Sequence, residues 1–265
     1  MTKPFLAACA IHKMEGKRLH EWIEYHRLVG FEHFFLFDNN EVDDGSAAIV
    51  KRYVAQGIAT SVHVKGKYQG SQMRVYEWLF RQQPATWIAF IDIDEFVFPV
   101  SCDQVPDLLK RYERFAGLAI NWRCFGAGGH VAAPPFVTES LIHASKPSWP
   151  NNRHVKCIVR PERVVRCITP HNFETVPRQH IVNENFAPVD GPWMDFSDSK
   201  IVINHYILRS VEDYRLKAVR GRGDDLSNPY DQKFFTQHDT NDLEETRLAD
   251  RFAAEVRRRC EEASE

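Results

Sequence analysis

The sequence predicts an α/β fold: a Rossmann-like, mostly parallel central sheet flanked by helices, with a small mixed-sheet region behind it. Three observations predict this. Between residues 5 and 91, short runs rich in β-branched and aromatic residues alternate with amphipathic helical stretches, the order that builds βαβ units. The polar residues of chemical interest fall where the apolar runs stop, and in parallel sheets ligands gather at the carboxyl ends of the strands. From residue 123 to 200 the texture changes to one rich in Gly, Pro, Asn and His.

The elements follow in order. Phe5 to His12 reads as a first strand, its apolar stretch too soon interrupted for a secretory core or a membrane span. Leu19, Trp22, Ile23 and His26 recur at helical spacing, so Lys17 to Val29 is predicted helical, ending at Gly30. His33 to Phe37 is a second strand, closed by the polar turn Asp38-Asn39-Asn40. Gly45 to Gln56 is a helix that stops at Gly57, and Ile58 to Val64 is a third strand. Ser71 to Gln83 is helical until Pro84, which cannot continue the ladder, and Trp87 to Ile91 is a fourth strand. After Pro99, Val105 to Phe115 reads as helix and Leu118 to Trp122 as strand. Within the irregular stretch, Val155 to Arg160 and Val164 to Ile168 carry strand signals, and the rest suits loops that face a ligand. Lys200 to Tyr206 is a strand, Val211 to Val219 a helix, and Asp242 to Glu262 a charged closing helix. There are no internal repeats, and we expect one domain over 1–265, with a nucleotide-binding half at 1–100.

Composition narrows the partners. With 265 residues, 43% hydrophobic and 26% charged, the chain can bury a substantial core. Thirty-four Lys plus Arg oppose thirty-six Asp plus Glu, a net charge of -2, so no global field pulls it toward nucleic acid or an anionic membrane, and any anion site must be local. No apolar run approaches the roughly 18 residues of a membrane-crossing helix. A soluble cytoplasmic protein is the expectation, with peripheral membrane contact left open. The six cysteines lack a CxxC pair or zinc-like spacing, which fits free thiols in a reducing compartment.

One segment stands apart. In Trp87-Ile88-Ala89-Phe90-Ile91-Asp92-Ile93-Asp94-Glu95-Phe96-Val97-Phe98-Pro99, three carboxylates interrupt what is otherwise a buried strand. On extended backbone, residues two apart share a face, so Asp92 and Asp94 are expected to converge. Converging carboxylates in a poorly solvated place repel unless a cation neutralises them. A divalent ion that prefers oxygen, Mn²⁺ or Mg²⁺, fits that need and can bridge to a diphosphate. The plain alternative is a strand end whose acids cap the next turn.

The wider pattern resembles glycosyltransferase family 92 and the family-2-like enzymes of the GT-A fold. Glu15, Leu19-His20-Glu21-Trp22-Ile23-Glu24-Tyr25-His26 and Gly30 resemble the family's opening, in which Met14 replaces an Asn. His33-Phe34-Phe35-Leu36-Phe37-Asp38-Asn39 resembles its second strand, and Trp87 to Pro99 its acidic segment. Asn121 to Gly126 with Gly129-His130, and Val155 to Pro161, match further on. Ile203-Asn204-His205-Tyr206, Ser210 and Lys217 to Gly221 close the series, which spans about residue 11 to 223.

The resemblance implies a nucleotide-diphospho-sugar donor, UDP-linked and in the family often UDP-galactose, a divalent metal, and inverting transfer to a hydroxyl of a glycan or lipid-linked glycan. It implies an acceptor-binding and catalytic half at 101–240 and a C-terminal helix at 241–265. Asp92 and Asp94 become metal ligands, with Asp92 also reaching the donor, and His205 the preferred third ligand over His171. Glu15, Asp38 and Arg74 become donor contacts, although Asp38 also suits an Asx turn and Arg74 a plain surface position. Lys217, Arg220 and Arg222 would meet the diphosphate from a loop rich in glycine; the same residues also suit a helix C-terminus. Inversion needs a proton acceptor, and among Glu95, Glu184, Asp195, Asp224 and Asp225 we place Asp195 and Asp224 first. A metal-dependent nucleotidyltransferase or phosphohydrolase is the competing enzyme class; a non-catalytic carbohydrate-binding protein would leave the paired acids unexplained.

Overall fold

The computed structural model describes residues 3–65, 71–221 and 230–263. The first half alternates as expected: β1 (Leu6–His12), α1 (Gly16–Leu28), β2 (His33–Asp38), α2 (Ser46–Ala55), β3 (Ala59–His63), α3 (Ser71–Gln82) and β4 (Trp87–Phe90). The second half adds β5 (Glu95–Pro99), α4 (Val105–Leu109), β6 (Gly117–Cys124), α5 (Val137–Ser140), β7 (His143–Ala144), β8 (Val155–Val159), β9 (Val164–Thr169), β10 (Asn172–Thr175) and β11 (Ile181–Val182). It ends with β12 (Ile201–His205), α6 (Val211–Arg220), α7 (Gln232–His238), β13 (Leu243–Glu244) and α8 (Ala254–Glu262). One nine-stranded sheet runs β3-β2-β1-β4-β8-β6-β12-β5, with β11 beside β6. Its β3-β2-β1-β4 part is parallel, whereas β8 is antiparallel to both β4 and β6.

Strand β1 is wholly buried because both faces of the sheet are covered. Leu6, Ala8 and Ala10 pack toward α1 and α2, while Ala7, Cys9 and Ile11 pack toward α3. On the first side Trp22, Tyr25, Phe34 and Phe96 form the densest part; on the other, Tyr76, Phe80, Phe90 and Phe173 do. Among the described residues no helix is long and apolar enough to cross a membrane.

Four departures from the sequence expectation matter. The fourth strand ends at Phe90 and the chain turns before β5, so Asp92 and Asp94 stand on a turn rather than on extended backbone. The helix predicted over 105–115 stops early: α4 passes into a 3₁₀ turn at Lys110–Tyr112, where the Tyr112 hydroxyl donates to the Glu184 carbonyl and the chain bends into β6. The closing helix does not begin at Asp242, because Leu243–Glu244 pairs with His143–Ala144 and the Asp242 carboxylate accepts the Lys146 N–H. Helix α7 was not expected; the Asp231 side chain caps it by accepting the Phe234 N–H at 2.8 Å.

Helix α1 is tied to β5 by three buried hydrogen bonds. Trp22 Nε1 donates to the Glu95 carbonyl (2.9 Å) and the Tyr25 hydroxyl to the Val97 carbonyl (3.0 Å). His26 bridges the two elements: its Nδ1–H donates to the Trp22 carbonyl (2.8 Å), and its Nε2 accepts the Val97 N–H (3.2 Å). That arrangement requires a neutral ring, and burial depresses the His26 pKa from 6.5 to about 3. Below pH 6.5 the unfolded chain takes up a proton at His26 that the native chain refuses, so stability is full above that pH and declines as pH falls toward 3. Urea midpoints at pH 7.5, 6.0 and 5.0 should therefore fall progressively. His26→Phe should lower stability at pH 7.5 through the lost bonds yet flatten this decline, by about 1.4 kcal/mol per pH unit within the window.

Candidate functional site

A cleft of about 800 Å³ opens at the carboxyl ends of β1, β4 and β12. Its floor is the acidic turn. The Asp92 carbonyl accepts the Glu95 N–H (3.1 Å) and the Asp92 N–H donates to Glu95 Oε2 (2.8 Å), which fixes the turn and draws Glu95 fully beneath it. The two aspartates consequently face different partners.

Asp92 accepts from Lys156 Nζ (2.8 Å) and from Gln72 Nε2 (2.7 Å). Lys156 is buried and also stands 3.6 Å from Glu95 Oε2. Burial opposes its charge, but Asp92 and Glu95 outweigh it and raise the ammonium pKa. For Glu95 the balance is opposite: burial, with Asp92 and Asp94 nearby, pushes its carboxyl well above the usual range despite Lys156. Lys156 comes from β8, whose pairing with β4 sets Cys157 opposite Phe90 and so carries the lysine to the strand end.

Asp94 accepts from Lys217 Nζ on α6 at 2.5 Å, and its other oxygen lies 3.8 Å from His205 Nε2. Burial works against the charged carboxylate, yet Lys217 and His205 hold its pKa well below the ordinary value. His205 reaches this corner by register: β12 pairs with β5 so that His205 stands opposite Glu95, and the Tyr206 N–H donates to the Asp94 carbonyl (2.8 Å). The Trp122 ring packs on the imidazole at 4.1 Å between centroids, and burial lowers its pKa, keeping it neutral.

Glu15, just before α1 in the turn that follows β1, is buried between Arg209 (2.6 Å) and Arg220. Burial alone would raise its pKa; the two guanidinium groups lower it. Arg209 holds φ 60, an unfavourable conformation for a side chain of its size, and the buried ion pair keeps it there.

The structure thus brings together Glu15, Asp92, Asp94, His205, His171, Lys217 and Arg220 on one cleft wall. His171 lies on that wall, but its Nδ1 donates to the Val155 carbonyl (2.8 Å), and the imidazole that faces Asp94 is His205. Other expectations fall elsewhere. Asp38 closes an Asx turn, accepting from the Asn40 N–H and side-chain amide at 2.8 Å each, and does not line the cleft. Arg74 is exposed on α3, also off the cleft. Asp195 has its side chain 99% exposed, 3.3 Å from Arg153, and does not line the cleft. Glu184 spends its oxygens on Ser197, Ser199 and the N–H groups of Lys200 and Ile201. Arg222 and Asp224 lie outside the described residues. The sequence did not single out Gln72 or His154, nor Tyr230, Phe234 and His238 around α7, which complete the lining. One signal was present, a lone lysine in the apolar run Val155-Lys156-Cys157-Ile158-Val159, since a charge there needs a buried partner.

Among the described residues no group of three or more His, Cys, Asp or Glu is placed to share a metal ion. The donor chemistry nevertheless fits a divalent cation: an anionic carboxylate and a neutral imidazole face one another on the cleft wall. Two protein donors suffice where diphosphate oxygens and water supply the rest.

Comparison with known proteins adds the following. The model of glycosyltransferase family 92 matches residues 11–252. A family 92 protein of Ricinus communis is 25% identical over 222 residues, 81% of this chain and 37% of that protein; one of Oryza sativa is 26% identical over 223 residues, 80% and 35%. A galactan β-1,4-galactosyltransferase of Arabidopsis thaliana is 26% identical over 116 residues, 40% of this chain and 22% of that one. The chain therefore spans little more than a third of the length of the family 92 relatives it matches. Among solved structures, residues 1–349 of S. aureus TarS with UDP-GlcNAc overlay with a TM-score of 0.40 at 10% identity, covering 59% of this chain and 45% of that one. A mannosyltransferase of Pyrobaculum calidifontis with GDP-Man and Mn²⁺ gives 0.35 at 11%, covering 60% and 45%. The family match carries with it the GT-A architecture, and the observed sheet, parallel through β3-β2-β1-β4 and mixed beyond, agrees with it.

The Lys156 pairing yields a test. Lys156→Met strands Asp92 and Glu95 without their buried cation and should cost about 3–5 kcal/mol of unfolding free energy in a urea titration. Lys156→Met with Glu95→Gln should recover part of that loss; equal stability of Lys156→Met and the unmodified protein would contradict the pairing.

Proposed function

Because the chain belongs to glycosyltransferase family 92, we propose that it transfers a sugar, galactose first among candidates, from a UDP-linked donor to a hydroxyl of a glycan or lipid-linked glycan. In this proposal the chain works as one domain, with 1–100 as the nucleotide-sugar-binding half and 101–240 as the acceptor-binding and catalytic half. The carrying observation is the corner where Asp94, His205 and Lys217 meet, at the carboxyl ends of β4 and β12.

The chemistry asks for stabilisation of the negative charge that grows on the departing nucleoside diphosphate. Lys217 and Arg220 project from α6 into the cleft, already oriented by Asp94 and Glu15, so their charges are in place before a diphosphate arrives. Asp94 and His205 would hold a divalent cation, Mn²⁺ or Mg²⁺, with Asp92 beside them, and that ion would offset charge on the diphosphate oxygens. Gln72 fixes one Asp92 oxygen and Lys156 the other, which keeps that carboxylate still. Glu15 holds Arg220 from behind, while α7 brings Phe234 and His238 to the side where an acceptor sugar would rest. Transfer is proposed to invert the anomeric centre.

Release of UDP from UDP-galactose, UDP-glucose and UDP-GlcNAc with Mn²⁺ tests the reading. Asp94→Asn should lower kcat by roughly 10²–10³-fold, the scale of losing a preorganised charge contact at the leaving group. Treatment with EDTA should abolish turnover and added Mn²⁺ should restore it. A protein that neither binds nor turns over any of the three donors would sink the proposal.

A further inference from the structure

Resting on that transferase reading, we propose that His154 is the base that takes the proton from the acceptor hydroxyl. The carboxylates usually invoked for this step are otherwise engaged. Three line the cleft among the described residues, and each is bound to a cation: Glu15 to Arg209 and Arg220, Asp92 to Lys156, Asp94 to Lys217. Protonating any of them would leave a sheltered lysine or arginine without its counter-charge, which resists proton uptake. Glu95 lies under the turn and Asp195 faces solvent.

The histidines of the cleft differ in what their nitrogens do. His205 Nε2 faces Asp94. His238 Nε2 is engaged with the Asn151 amide at 3.0 Å. His171 has its Nδ1–H on the Val155 carbonyl and its ring edge-on to Trp122 at 5.2 Å; burial first and the nearby Lys156 ammonium second depress its pKa to about 3. His154 is the remaining one on the cleft wall, half-buried where the Pro150–Arg153 turn enters β8. Its Nδ1–H donates to the Asn151 carbonyl at 3.1 Å, which fixes the tautomer and leaves the lone pair on Nε2, the nitrogen that this bond does not use.

The backbone holds this ring firmly. The His154 carbonyl accepts the Trp122 N–H (3.0 Å), and its imidazole stacks on the Trp122 indole at 4.9 Å and 21°. The same indole packs on His205 at 4.1 Å between centroids. His154 therefore stands one ring away from the corner where the diphosphate would leave, with Trp193 edge-on at 5.7 Å on the open side. In the step, Nε2 takes the acceptor hydroxyl proton as that oxygen bonds to the anomeric carbon. The bond from that carbon to the β-phosphate oxygen breaks, and its electron pair stays on the departing UDP. The imidazolium then returns its proton to solvent.

His154→Ala and His154→Gln, assayed with UDP-galactose, β-1,4-galacto-oligosaccharide acceptors and Mn²⁺, test the assignment. Each should lose about 10²–10³-fold in kcat, while KM for UDP-galactose and the calorimetric affinity for UDP stay within about threefold. Added imidazole should restore part of the rate to His154→Ala, which a purely packing role would not allow. Unreduced kcat in His154→Gln, or an equal kcat loss in Asp224→Asn or Asp225→Asn with His154→Gln active, would overturn the assignment alone. Absence of UDP release by the unmodified protein from UDP-galactose, UDP-glucose and UDP-GlcNAc would overturn the transferase reading and this assignment with it.

Discussion

Three carboxylates within four residues, two of them sheltered from water, coexist at the cleft floor because two lysines from distant segments meet them there. Lys156 arrives on β8 and Lys217 on α6, some sixty and some hundred and twenty residues away in sequence. A buried ion pair of this kind is weak as a source of stability, since desolvation consumes most of the Coulomb gain. Its consequence is geometric. Each acid is held by side chains from other segments, Asp92 by Lys156 and Gln72 and Asp94 by Lys217, so the cleft acquires charged groups whose positions are already fixed when a ligand enters.

The rest of the fold serves that turn. Helix α1 clamps β5 through Trp22, Tyr25 and His26, so the strand leaving the turn cannot slide. Strand β12 pairs with β5 in the register that sets His205 opposite Glu95, and a one-residue slip would send the imidazole to the other face. Strand β6 lies on the far side of β12 and places Trp122 against His205, and Trp122 in turn carries His154. A line of rings thus runs along the cleft wall from the Asp94 corner toward its open side. The Glu15 pair with Arg209 and Arg220 closes the other side and ties α6 back to β1.

Much of this was legible in the sequence. The parallel half follows from alternating periods of two and 3.6, and the strand and helix positions through β4 differ from expectation by a residue or two. Asp92, Asp94, His205 and Glu15 line one cleft because they stand at or just past the carboxyl ends of strands that end at the same edge of the sheet, and Lys217 and Arg220 reach it from α6. Legibility stopped where a side chain's surroundings depend on a partner far along the chain. Asp195 lies in the irregular stretch expected to hold ligand-facing loops, yet its side chain is exposed beside Arg153 and off the cleft lining. Asp38 ended a strand as expected, but Asn40 captured its carboxylate locally. Asp92 and Asp94 were expected on one face of an extended strand, but Glu95 pulls that backbone into a turn, a choice invisible to a two-residue period.

By itself the sequence determined the α/β class, the order of the elements and the family resemblance, and it singled out the acidic segment that the structure sets at the cleft floor, since periodicity and ordered local motifs survive without contacts. Only the tertiary structure decided which cation answers which acid, that His205 rather than His171 faces Asp94, and that His154 on the cleft wall has its lone pair on Nε2. Those outcomes depend on strand register and on segments more than sixty residues apart meeting at one sheet edge, and no local pattern encodes such a meeting.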